Sequence, residues 1–125
     1  TENYKNLKAP LAIPKTLINK SIKKKFDKTK IFDFGVGLDH NTFKFDKSGA
    51  TLPRLFTLVY ALSIATSGKA GRILLAGCDG YGSHDIRTKI VDELLHLYSS
   101  SAGSRPLLAV TPTTYSINST SIYAL

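Results

Sequence analysis

Cysteine is nearly absent from this chain: Cys78 stands alone among 125 residues. A lone cysteine excludes an internal disulfide, and histidines at positions 40, 84 and 96 give no Cys/His spacing suited to zinc. Long apolar runs are missing as well, since none approaches the roughly 18–20 residues of a membrane span. The opening "TENYKNLKAP" is polar and lysine-bearing, without the apolar stretch of a signal peptide. The expectation is a cytoplasmic protein that does not engage a membrane. Paired carboxylates, a nucleophile triad, a P-loop and a metal cluster are all lacking, so no metal and no cofactor is expected.

Acidic residues are scarce, nine against seventeen lysines and arginines, for a formal net charge of +8. The imbalance is local. Residues 1–30 hold nine lysines against Glu2 and Asp27, a net of +7, which leaves +1 for residues 31–125. Every cation in the first segment is lysine, a hydrated point charge, whereas forked recognition of phosphate or guanine favours arginine. The segment reads as a lysine-rich lead-in or linker, and its composition argues against nucleic acid as the main partner. A basic nucleic-acid-associated module remains the third reading of the chain.

A hydrophobic fraction of 42% is enough for a core. Pro10 and Pro14 break any early helix, although Leu17, Ile18, Ile22 and Phe26 fall near helical spacing. "KIFDFGVG" (30–37) alternates like a strand running into a glycine loop, and Phe43 and Phe45 suit a short strand edge. "TLPRLFTLVYALSIATSG" predicts a helix with Leu55, Leu58, Val59, Leu62 and Ala65 on one stripe. Thr51 is its expected N-cap, Pro53 its first turn and Gly68 its C-cap. "RILLAG" and "RPLLAV" are apolar runs too short for helices and suit strands buried on both faces. Between them "HDIRTKIVDELLHLYSS" carries Ile86, Ile90, Leu94 and Leu97 at helical intervals, opened by Ser83 or Asp85. The tail "SINSTSIYAL" is polar with a final apolar anchor. Alternating helices and buried strands predict a small Rossmann-like three-layer α/β domain over 31–125, with a mostly parallel sheet. So few strands suggest part of a larger protein.

In such a sheet ligands bind beyond the carboxyl ends of the strands. The loops there are "GCDGYGSHD" and "TPTTYS", which bring Asp79, Gly80, Tyr81, Ser83, His84, Thr111, Thr113 and Thr114 towards one crevice. Glycines 77, 80 and 82 do not have the dinucleotide spacing. They leave a backbone able to approach a phosphate or sugar, next to a helix start with free N–H groups. Asp79 binds a hydroxyl or a metal, acts as a base, or caps the turn, and Tyr81 either stacks on a ligand or packs the loop. His84 is the candidate catalytic residue, a general base because imidazole titrates near neutrality, or else an exposed histidine at a helix start. His40 and His96 read as surface groups, Cys78 as a small buried hydrophobe, and Thr111, Thr113 and Thr114 as ligand contacts or turn closures.

Two stretches, "ATLPRLFTLVYALSIATSGKAGRILLAGCDGY" (50–81) and "PLLAVTPTTYSINSTSIYAL" (106–125), resemble the C-terminal domain of bacterial aldolase-like enzymes. Those enzymes carry a pyruvate-aldolase or HMG-CoA-lyase-like barrel and occur in surface-carbohydrate pathways. More distantly, the strand ending in G-x-D-x-Y (Gly77, Asp79, Tyr81) is similar to bacterial sialyltransferases, whose crevice takes a CMP-sugar and whose motif tyrosine lies in the active site. The catalytic histidine of that family follows a long insertion; here only "GSHD" intervenes, and His84 is not its equivalent. The resemblance implies an accessory domain that binds a nucleotide-sugar or sugar acid, or docks an aldolase-like catalytic domain. The alternative it implies is a sialyltransferase-like glycosyltransferase completed by a partner segment.

Overall fold

The computed structural model describes residues 9–21, 30–82 and 84–125. Ile22 and Phe26 of the early helical pattern, most of the lysine-rich segment, and Ser83 lie outside those residues. Seven strands are described: β1 Leu11–Ile13, β2 Ile31–Asp33, β3 Gly35–Leu38, β4 Lys44–Asp46, β5 Gly49–Leu52, β6 Ile73–Leu75 and β7 Leu107–Ala109. Two longer helices, α1 Thr57–Ser67 and α2 Ile86–Ser100, flank β6. The class is mixed α/β with small, mostly parallel sheets.

Among the described residues these strands do not join into one sheet. β1 pairs with β2 in parallel, β5 lies between β3 (parallel) and β4 (antiparallel), and β6 pairs with β7 in parallel. The lysine-rich lead-in therefore contributes a strand, and the boundary expected at residue 30 falls inside the β1–β2 sheet. "GVGL", expected as a loop, is β3. Gly35 sits opposite Gly49, where a Cβ on Gly49 would come within 2.9 Å of the Gly35 carbonyl oxygen. Glycine at that pairing permits the approach. Phe43 and Phe45 flank and occupy the antiparallel edge strand β4.

The first long helix starts later than its sequence suggests. Thr51 is not its N-cap: Thr51 and Leu52 belong to β5, where Leu52 is completely buried. Leu52 precedes Pro53, and the proline ring disfavours helical backbone in the residue before it. Phe56 takes the N-cap position without a side-chain hydrogen bond. The buried face is Val59, Leu62, Ser63 and Thr66, while Leu55 lies before the helix, 65% exposed. Ser63 and Thr66 are tolerated inside because their hydroxyls donate back to the carbonyls of Val59 (2.9 Å) and Leu62 (2.7 Å). Gly68 is the C-cap as expected, but the left-handed residue is Lys69, φ 60°. The N–H groups of Lys69 and Ala70 bond Thr66 and Ala65 carbonyls in a Schellman closure.

The buried face of α2 is likewise displaced from the anticipated stripe. Val91, Leu94, Leu95 and Tyr98 are inside, and Ile86 is 66% exposed. Tyr98 joins three parts of the fold. Its ring meets Phe43 and Phe45 edge-on at 5.6 and 5.8 Å between centroids. Its hydroxyl lies 2.6 Å from Thr66 Oγ1 and accepts from the Arg105 N–H at 3.0 Å. Because Thr66 donates its proton to Leu62, Tyr98 is the donor to Thr66. Every proton of that buried cluster has an acceptor.

β6, α2 and β7 form a βαβ unit. Beyond β7 the chain returns alongside it, the Ala109 N–H donating to Asn118 and the Thr120 N–H to Ala109, both at 2.8 Å. β6 has no strand on its other edge among the described residues, and Leu74 is 41% exposed. The expectation that β6 is buried on both faces thus fails on one of them. The final apolar anchor fails too, since Ile122, Tyr123 and Leu125 are exposed. No helix of the described residues is long and apolar enough to cross a membrane.

Candidate functional site

Parallel pairing of β6 with β7 makes their carboxyl ends adjacent, so the loops 77–82 and 110–115 leave the same edge. Hydrogen bonds stitch the two loops together. Gly77 N–H donates to Thr111 Oγ1 (2.9 Å), Thr113 Oγ1 donates to the Cys78 carbonyl (2.7 Å), and the N–H and hydroxyl of Thr114 both donate to the Asp79 carbonyl (3.0 Å each). Three of the anticipated ligand contacts, Thr111, Thr113 and Thr114, therefore act first as ties. The hydroxyl protons of Thr113 and Thr114 are directed into the protein. Gly80 is held at φ +104°, and a Cβ built there would collide with the Thr114 hydroxyl.

The ties hold the loop against the start of α1, enclosing a cleft of about 480 Å³. One wall is Phe56, Thr57 and Leu58; the other is Gly77 to Tyr81, with Val91 and Tyr115 at its base. Asp79 is exposed, and its carboxylate has no partner among the described residues. Across the cleft α1 has no side-chain cap and no acidic residue in its first turn. Its leading N–H groups have no acceptor among the described residues, and they carry the positive end of the helix dipole. A hydrogen-bond acceptor and an anion-attracting terminus thus line the same cavity.

Tyr81 is fixed by its neighbours. The Arg87 guanidinium lies 4.2 Å from its ring centroid, and that guanidinium is forked onto Asp85 through Nε (3.0 and 3.1 Å) and Nη2 (2.6 Å). Asp85 also caps α2, accepting from the Arg87 N–H at 2.9 Å. Side-chain and backbone hydrogen bonds from Arg87 hold the Asp85 carboxyl down at about 2. Tyr115 is buried, and burial first, then the charges of neighbours led by Tyr81, push its phenol up. Half-buried Cys78 has its thiol pushed up by burial and then by the Asp79 charge. A protonated thiol is a poor nucleophile, in keeping with its reading as a small hydrophobe.

The remaining sequence candidates fall elsewhere. His84 is exposed in the turn before α2 and does not line the cleft. His40 borders a smaller hollow of about 260 Å³ near Glu93, and His96 borders a separate cavity on α2. No group of three or more His, Cys, Asp or Glu able to hold a metal occurs among the described residues. Phe56, Thr57, Leu58, Arg87 and Tyr115 were missed as site residues. The first three escape because the sequence pattern puts the helix cap at Thr51, and Pro53 is the signal against that. Compared with protein-family models, curated proteins and solved structures, the chain matches none.

Proposed function

We propose that this chain is a Rossmann-like accessory unit of a carbohydrate-biosynthesis enzyme, binding a nucleotide-sugar or sugar acid in the cleft between α1 and the 77–82 loop. The observation that carries the reading is the pairing of the uncapped α1 terminus with the Asp79 carboxylate, which has no partner among the described residues, across one cavity. The helix terminus takes the ligand's phosphate or carboxylate. Asp79 accepts from sugar hydroxyls, and the Tyr81 ring offers an apolar face to a sugar or base. No reaction is assigned in this reading, and His84, away from the lining, has no catalytic part. The edge of β6, unpaired among the described residues, and the exposed Leu74 fit a parallel sheet continued by neighbouring polypeptide, since such sheets are normally covered on both faces.

Calorimetric titration with CMP-sialic acid tests this. The unaltered chain binds, and Asp79→Ala or Tyr81→Ala weakens binding by about tenfold or more, or 1.4 kcal/mol. Absence of binding, or affinity unchanged in both variants, refutes it. Docking of a catalytic domain is a second reading with its own observation. A groove of about 820 Å³ is bordered by Leu17, Leu38 and Leu55, which are 67%, 61% and 65% exposed. Exposed apolar clusters of this kind mark interaction surfaces.

A further inference from the structure

A second cavity, of about 430 Å³, lies at the amino end of β7 and shares no lining residue with the cleft. Its polar lining comes from α2 (His96, Ser99), the turn after it (Ser104, Arg105) and the returning segment (Ser116, Asn118). Arg105 is half-buried yet makes no ion pair among the described residues, and its Nε is shut off from solvent with no hydrogen-bond partner there. A buried donor without a partner is costly. The His96 imidazole and the Asn118 amide also lack partners among the described residues. Asp92 lies one turn before His96 but does not line the cavity. Its two oxygens accept from the Ser116 N–H (2.6 Å) and hydroxyl (2.9 Å), and it does not pair with Arg105.

The serines divide the labour differently. Ser99 donates to the Leu95 carbonyl, Ser104 to the Ser99 carbonyl and Ser116 to Asp92. Each hydroxyl proton is thus occupied within the protein, and the oxygens retain lone pairs for an outside donor. The lining therefore offers unpartnered donors on one hand and acceptor-only oxygens on the other. We propose that this cavity binds a small hydroxylated anion, a sugar phosphate or sugar carboxylate. The Nη groups of Arg105, which unlike its Nε are not shut off from solvent, and the Asn118 amide meet its charged group, and the serine oxygens accept from its hydroxyls. The inference rests on this donor and acceptor pattern and not on the function proposed for the cleft.

Amide chemical-shift titration of the whole chain tests it, using glucose 6-phosphate and gluconate as probes, with glucose and inorganic phosphate as their parts. Expected are saturable shifts at 99–107 and 116–118 with at least one probe, the two arms separating phosphate from carboxylate. Arg105→Met weakens that binding by about tenfold or more with the dispersed spectrum retained. Asn118→Ala, which removes no backbone hydrogen bond, weakens it in the same direction. No saturable shift there with either probe up to about 10 mM overturns the site. So does binding that neither substitution changes. Inorganic phosphate binding as tightly as glucose 6-phosphate overturns the role given to the serine oxygens.

Discussion

Substituting Gly80 by alanine probes the stitching that shapes the cleft. At φ +104° an added side chain meets backbone strain of about 1–2 kcal/mol. The new Cβ also collides with the Thr114 hydroxyl, so Thr114 must turn away and lose its 3.0 Å bond to the Asp79 carbonyl, worth about 1 kcal/mol. Gly80→Ala is therefore expected to cost about 2–3 kcal/mol, and Thr114→Ala alone about 1 kcal/mol. The double variant removes the colliding oxygen, leaving the added Cβ 3.4 Å from that of residue 114, an ordinary contact. It should cost about as much as Gly80→Ala alone, a coupling near 1 kcal/mol. Urea unfolding of the four proteins reads this directly. Costs that add to within about 0.3 kcal/mol would refute the tie as drawn.

Tyr98→Phe removes the donor to Thr66 and the acceptor of the Arg105 N–H without altering the aromatic packing. It should cost about 1–3 kcal/mol, lowering the melting temperature by several degrees, whereas a solvent-satisfied hydroxyl would cost nothing measurable. Asp85, held at about 2 against an ordinary 3.8, favours the folded state above its unfolded value, and that contribution is lost as pH falls through about 2. Its carboxyl carbon, followed by NMR, should titrate together with the Arg87 Nε resonance. Titration of Asp85 near 3.8 would contradict the fork.

The βαβ unit was legible because its signals are local. Two short apolar runs bounded by glycine and proline enclose a helical period opened by Asp85, and parallel pairing then dictates that the two loops share an edge. What escaped depends on contacts between distant residues. "GVGL" reads as a loop until Gly49 comes to lie against Gly35, and "TL" reads as helix until β3 and β4 close on β5 from both sides. The helix faces are displaced because Ser63, Thr66 and Tyr98 satisfy their hydroxyls inside the core, which no hydropathy pattern reveals. Thr111, Thr113 and Thr114 stood out as hydroxyls, but the direction of their protons emerges only when the loop carbonyls are in place.

An anionic sugar in the cleft between α1 and the 77–82 loop would touch both of its walls. Amide shift mapping with CMP, CMP-sialic acid and free sialic acid at moderate salt tests it most directly. Saturable shifts are expected at Thr57–Val59 together with Asp79–Tyr81, abolished in Asp79→Ala. Silence at both walls in a folded chain, or shifts confined to residues outside them, would contradict it.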